Sequence, residues 1–123
     1  MKTIPFLIPL SVLLTANGVG NLSFSVPQNW ILHIRQWWFT STGIFRINQL
    51  QDSTGVNYTN ATQSIPIPST FLQNPGNAFI AHNSFLSPID LDGGKSIIIQ
   101  VQDTSVAGNT VSALLNCLVD YNQ

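Results

Sequence analysis

The chain has 123 residues and a formal net charge of −1, and only 7% of its residues are charged: four Lys or Arg and five Asp, with no Glu. An average soluble domain is about 25% charged; here Ser, Thr, Asn and Gln supply the polarity, 43 residues in all. Four scattered basic residues cannot neutralise a phosphate backbone, which excludes nucleic acid as the expected partner, and a mean hydropathy of +0.21 at so low a charge opposes disorder.

The length suits one domain spanning residues 1–123. A surface so poor in charge is expected to be covered, mostly by other protein. Lys2 precedes an apolar run, Ile4 to Leu14, followed by Ala16 and Gly18, which has the outline of a secretory signal. Pro5 and Pro9 interrupt that run, and it falls short of the about 20 residues a membrane span needs. Residues 1–14 are therefore read as an N-terminal strand or as an arm contacting a neighbour.

Leu22, Phe24 and Val26 alternate with Asn21, Ser23 and Ser25, which predicts a half-buried strand ended by Pro27. Trp30 to Phe39 predicts a longer strand, with His33, Arg35 and Trp37 on one face and Leu32, Ile34, Gln36 and Trp38 on the other. Ser41, Thr42 and Gly43 make a turn, and Ile44 to Leu50 is expected to return as the second arm of a hairpin, closed by Asp52 to Gly55. From Gln63 to Gly76, the prolines at 66, 68 and 75 forbid a central strand. A long surface connection is expected there, with an edge strand near Ala78 to Ala81. Ile89 and Leu91 lead into a turn at Asp92, Gly93 and Gly94. Lys95 to Gln102 follows as a strand, Asp103 to Asn109 as a loop, and Thr110 to Tyr121 as the last strand, with Val111, Ala113, Leu115, Cys117 and Val119 on one face. Seven or eight strands with long connections between some of them predict an all-β fold, an antiparallel β-sandwich of jelly-roll or Greek-key type.

Titratable groups able to converge are scarce. His82, Ser84 and Asp90 lack the glycine pattern of a nucleophile elbow. His33, between Leu32 and Ile34, reads as a half-buried strand histidine. Asp90 and Asp92 have neither the third oxygen ligand nor the closing Glu of a calcium loop, so they read as a strand-ending turn. One Cys and two distant His do not make zinc-ligand spacing. The chain is thus expected to be non-enzymatic, with no catalytic residue, metal or cofactor. Cys117, among Leu114, Leu115, Leu118 and Val119, reads as a buried, inert thiol. The sequons at Asn21, Asn57 and Asn60 carry little information, since about two arise by chance at this composition.

The aromatic residues are more informative. Trp30, Trp37 and Trp38, with Arg35, form the candidate interface or ligand-stacking set. Adjacent Trp37 and Trp38 face opposite sides of any regular strand. One indole can fill the core while the other points outward, as an assembly anchor or as a stacking platform for a glycan ring.

Three stretches carry a family likeness: Leu13-Leu14-Thr15-Ala16-Asn17; Ser41-Thr42-Gly43-Ile44-Phe45-Arg46-Ile47; and Asp103-Thr104-Ser105 with Gly108-Asn109-Thr110-Val111. Taken in order, they resemble small all-β, jelly-roll-like structural proteins of bacteriophage virions, of the capsid decoration or minor capsid type. The resemblance implies a non-enzymatic protein that assembles on a virus shell as an oligomer. Its partners would be further copies of itself and other virion proteins such as the major capsid protein, and its location the virion, assembled in the host cytoplasm. It carries over no catalytic residue. Two other readings of the residues stay open: a carbohydrate- or receptor-binding β-sandwich module, secreted or at a virion tip, with Trp37 or Trp38 on a sugar; and a bacterial surface filament subunit exported through the N-terminal segment. Neither nucleic acid nor membrane is an expected partner.

Overall fold

Short alternating runs bounded by Gly, Pro, Asn and Ser give strands, and the described residues contain no α-helix. The computed structural model describes residues 2–59, 66–69 and 80–121, with the side chains of residues 80–87 outside the description. The strands are β1 (Lys2–Leu14), β2 (Val19–Ser25), β3 (Trp30–Ser41), β4 (Phe45–Asp52), β5 (Ile67–Pro68), β6 (Ile80–Asp92), β7 (Ser96–Asp103) and β8 (Asn109–Tyr121). They form two four-stranded antiparallel sheets, the first in the order β1-β8-β3-β6 and the second in the order β2-β7-β4-β5.

The pairing is nested. β1 pairs with β8, β2 with β7, β3 with β6 and β4 with β5. Partner numbers total 123 along all of β1–β8, 121 along β2–β7, and 114 in β4–β5. The chain is therefore one long antiparallel hairpin, bent so that successive pairs fall alternately into the two sheets. Contacts of β3 with β8 and of β4 with β7 complete each sheet. This connectivity is the eight-stranded jelly roll.

The inward faces meet in one apolar cluster that includes Leu32, Ile34, Phe39, Ile47, Leu91, Ile99, Val101, Leu115 and Val119, each no more than 2% exposed. Burying a side chain of this size is worth about 1.5–3 kcal/mol. Cys117 lies in the same cluster, and burial pushes its thiol up to about 12. β7 alternates buried and half-buried residues throughout and β8 does so from Asn109 to Asp120, with the inward face of β8, Val111 to Val119, as read from the sequence.

Three expectations need correction. First, the alternation of β3 breaks at Arg35, where a β-bulge shifts the register between Ile34 and Gln36 against both neighbouring strands. The extra residue moves Trp37 to the core with Leu32 and Ile34, and puts Trp38 outside. Second, β4 is not the hairpin partner of β3. It crosses to the second sheet and pairs with β7 and β5. Third, the edge strand sought near Ala78 to Ala81 is the start of a much longer strand, β6, whose described part begins at Ile80; Ala78 and Phe79 lie outside the described residues. Of the connection from Gln63 to Gly76, only residues 66–69 are described; Ile67–Pro68 is a two-residue edge strand on β4, a place that tolerates proline.

Of the strand and the arm expected for residues 1–14, Lys2–Leu14 is the strand: it belongs to the first sheet, paired with β8 along its length, with Ile8 and Leu14 in the core. The unbroken register sets the direction of its amides. Pro5 and Pro9 have no N–H to give to β8, and they share a parity, so the odd-numbered residues turn their backbone groups to the open edge. Two of the donor positions on that edge are thereby blank.

Buried polar side chains hold the loops. Asn109, 2% exposed, accepts at Oδ1 from Thr42 N and Gly43 N, both at 3.1 Å, and donates from Nδ2 to the carbonyls of Gly43 and Ile44, both at 2.9 Å. Asp103 accepts from the backbone of Asn17, Ser105 and Val106 and from the Ser105 hydroxyl. Asp52 does the same for Thr54, Val56 and the Tyr58 hydroxyl. Burial pushes both carboxyls up, but these hydrogen bonds together outweigh it and bring each to about 2. At the β6–β7 turn, Gly94 has φ +89°, and a Cβ on Gly93 would meet the Gln28 carbonyl oxygen at 2.1 Å. Only glycine fits there.

Candidate functional site

The two outer faces differ in chemistry. On the second sheet the register builds cross-strand rows of mostly neutral polar groups: Asn21 beside Gln100 beside Gln49, then Ser23 and Gln51 on either side of apolar Ile98, then Ser25 beside Ser96. The Ser25 and Ser96 hydroxyls bond each other at 2.9 Å. Gln102 Oε1 accepts from Arg46 Nε at 3.2 Å, Arg46 Nη2 at 2.7 Å and Asn48 Nδ2 at 3.1 Å. Asn48 is the extra residue of a second bulge, between Ile47 and Gln49, and is buried. Its Nδ2 is paired in this way with Gln102, while its buried Oδ1 has no hydrogen-bond partner among the described residues.

The first sheet presents rows of another kind. From one end to the other these are Thr3–Asp120–Ile31–Asp92, Pro5–Leu118–His33–Asp90, Leu7–Asn116–Gln36, Pro9–Leu114–Trp38, Ser11–Ser112–Thr40 and Leu13–Thr110. The carboxylates and His33 lie in the first two of these rows, and His82 on β6 is the register partner of Trp38 in the fourth. The rest are apolar or neutral, and Leu7 (58%), Leu13 (79%) and Trp38 (44%) are large apolar side chains open to solvent. Pro9, Trp38, Thr40, Ser112 and Leu114 line a shallow groove of about 380 Å³ on this surface.

At the charged end, His33 bridges two strands. Its Nδ1 lies 2.6 Å from Asp90 Oδ1 on β6, and its Nε2 lies 2.8 Å from Asp120 Oδ2 on β8. Thr3 Oγ1 on β1 donates to the other oxygen of Asp120. The clasp thus runs across all four strands of the sheet. A carboxylate only accepts, so both ring nitrogens can donate together only when the imidazole is protonated. The Asp90 hydrogen bond does most to raise His33 above its ordinary value; burial opposes it and the Asp120 hydrogen bond adds to it. Asp120 is held below the usual carboxylate range by the Thr3 hydroxyl first and His33 second. The Thr3 hydroxyl binds Asp120 and not the imidazole, so the chain of groups ties strands together without arming a nucleophile.

The four candidate residues end in four environments. Trp37 is 4% exposed and packs edge-on to Phe39 at 5.1 Å. Trp30 is half-buried, edge-on to Phe6 at 5.1 Å. Arg35 is exposed on the bulge, and Trp38 is exposed on the apolar rows. The sequence reading missed Leu7, Pro9, Leu13 and Leu114, which surround Trp38 or extend its surface. Their signal was present: β1 is apolar at odd and even positions alike, and Leu114 and Leu118 fall out of phase with the core face of β8. The side chains of His82 and Ser84 lie outside the described residues, and among the described residues no group of three or more His, Cys, Asp or Glu could hold a metal ion.

No protein-family model matches the chain, and no curated protein matches it in sequence.

Proposed function

We propose that the protein is a non-enzymatic structural component of a bacteriophage virion, acting by oligomeric assembly on the capsid as a decoration, cement or minor capsid subunit. The observation that carries this reading is the outer face of the first sheet, where exposed Leu7, Leu13 and Trp38 stand among neutral groups. Such a face is costly to leave in water and cheap to cover with protein, because few charges must be desolvated. The jelly roll supports the reading as a fold that capsid proteins use, although lectins and cupins use it too, and a fold does not by itself decide function. The test is quantitative mass spectrometry of purified particles. A fixed, symmetry-related copy number supports the proposal, and absence from the particles refutes it.

A second reading rests on Trp38 specifically. Its indole is exposed beside the hydroxyls of Thr40, Ser112 and Ser11, a combination suited to stacking a sugar ring and bonding its hydroxyls. Binding on a broad glycan array that disappears in Trp38→Ala would favour a carbohydrate-binding module. An empty array would count against it. Edge-to-edge growth of a filament is the least favoured mode, since the open edge of β1 lacks two donors.

A further inference from the structure

We infer that the outer face of the first sheet docks on the same face of a second copy of this chain, with the strands of the two copies running in opposite directions. The two-fold axis would cross the strands at the row Pro9–Leu114–Trp38. The inference rests on the surface itself and does not depend on the virion reading.

Three observations lead to it. The first is area. Sheet spacing of about 4.8 Å over four strands and a rise of about 3.3 Å per residue over a 13-residue strand give a face of about 800 Å², which is what one partner contributes to a standard stable interface. The second is the edge. Pro5 and Pro9 leave blanks in the free edge of β1, so a copy is disfavoured from adding there as a further strand, and the face is the surface left to use.

The third is the placement of charge, which selects the orientation. A two-fold interface sets a patch against itself, so it must not repel itself. With the strands of both copies in the same direction, the end of one copy that carries Asp90, Asp92 and Asp120 would lie over the same end of the other. With the strands opposed about the Trp38 row, the Asp120–Asp92 row of each copy lies beyond the Leu13 row of its partner, and the His33–Asp90 row lies over it. Row then meets row: Trp38, Leu114 and Pro9 meet their own copies, as does the register position of His82 beside Trp38, and Leu7 meets Ser11 of the partner subunit. The most exposed leucine, Leu13, comes over Pro5 and Leu118 of the partner subunit, which are otherwise left uncovered. Arg35, exposed on the bulge, comes opposite neutral rows.

The experiment is sedimentation of the purified full chain from about 1 µM to about 1 mM, the span in which an interface of this size associates. The expected result is a concentration-dependent dimer. Trp38→Lys and Leu7→Lys each weaken it by at least about tenfold, while far-UV circular dichroism stays unchanged because both positions are exposed. Orientation is read by cross-linking, with Cys117 buried and silent. Leu114→Cys, near the axis, forms a disulfide-linked dimer, and Leu118→Cys, far from its own copy, does not. Efficient linkage through Leu118→Cys overturns the orientation. A chain that stays monomeric throughout overturns the proposal, and so does a dimer that survives both lysine substitutions. Coverage of this face only on an assembled particle assigns it to a shell protein instead and likewise overturns it. A dimer in solution from a protein absent from virions would leave this inference standing and remove the virion reading.

Discussion

The bulge at Arg35 makes a prediction that separates two adjacent, chemically identical side chains. Trp37 is 4% exposed with its ring edge-on to Phe39, and Trp38 is 44% exposed. Trp37→Ala removes a full core side chain and leaves a cavity, which costs about 3–5 kcal/mol, including the about 0.5–1.5 kcal/mol of the aromatic pair. Trp38→Ala removes a side chain that is only about half covered, which at about 25 cal/mol per Å² costs about 2–3 kcal/mol. Against a total stability of about 5–15 kcal/mol for a domain, the first change is severe and the second tolerable. Urea unfolding followed by circular dichroism reads both. At a slope of about 2 kcal/mol per molar urea, Trp37→Ala shifts the midpoint down by about 1.5–2.5 M and Trp38→Ala by about 1–1.5 M. Because any dimer adds stability by mass action, midpoints should be taken at several protein concentrations and compared at the lowest. Equal shifts, or a larger shift for Trp38→Ala, would refute the bulge, since an unbroken alternation from Leu32 and Ile34 puts Trp38 in the core.

Three more outcomes are expected. Asp52 and Asp103 lie near 2 when folded, below the ordinary 3.8, so each contributes stability that is present above about pH 4 and lost as the pH falls through about 2, about 1–2 kcal/mol apiece after allowance for solvent; Asp103→Asn should flatten that acid limb in a urea titration, and an unchanged limb would contradict the loop geometry. His33 is raised above 6.5, so the clasp stabilises fully below that value and fades as the pH rises through the folded value; NMR titration of the imidazole should show the raised midpoint in the native protein and a normal one in Asp90→Asn/Asp120→Asn, and a normal native midpoint would remove the clasp. Replacing Pro5 and Pro9 together by Val restores two amides to the open edge of β1 and should promote aggregation at high concentration, seen by light scattering; a variant as soluble as the parent would show that the edge needs no such protection.

Much of the fold is legible where the pattern is local. Leu22, Phe24 and Val26, and the five inward residues of β8 from Val111 to Val119, alternate cleanly because each strand is buried on one side only. The bulges are legible as well, but as a change of spacing. Apolar positions 32, 34, 37 and 39 in β3 step by two, three and two, and Phe45, Ile47, Leu50 and Asp52 repeat that step in β4, each around one extra residue. Carrying a strict period of two through Arg35 put Trp37 on the wrong face. The partner of β4 is not local information. The short connection after Ser41 reads as a hairpin, and what sends β4 to the other sheet is the nesting of the whole chain, which pairs it with residues 67–68 and 97–103.

The candidate site divides in the same way. Trp38 is visible as one of an adjacent Trp pair that strand geometry must separate. The surface around it is not, because Leu7, Pro9 and Leu114 come from strands about a hundred positions apart that only the β1–β8 register brings together. The clasp is also a product of register, since Asp90 and Asp120 are 57 and 87 positions from His33. From the sequence alone, His33 is an ordinary strand histidine.

The scarcity of charge now has a location. The five carboxylates are spent on two tasks: Asp52 and Asp103 hold loops, and Asp90, Asp92 and Asp120 sit at one end of the first sheet, two of them bound to His33. Apart from Arg35 on the bulge and the position of His82, the remainder of that sheet's outer face is neutral or apolar over Leu7, Pro9, Leu13, Leu114 and Trp38. A face with that composition is suited to being covered by protein.

The most direct measurement is the absolute copy number of this chain in purified particles, by isotope-standard mass spectrometry against the major capsid protein. A fixed ratio set by the symmetry of the shell, unchanged through successive purification steps, is the predicted result. Loss of the chain as the particles are purified, or a ratio that varies between preparations, would contradict a structural role in the virion.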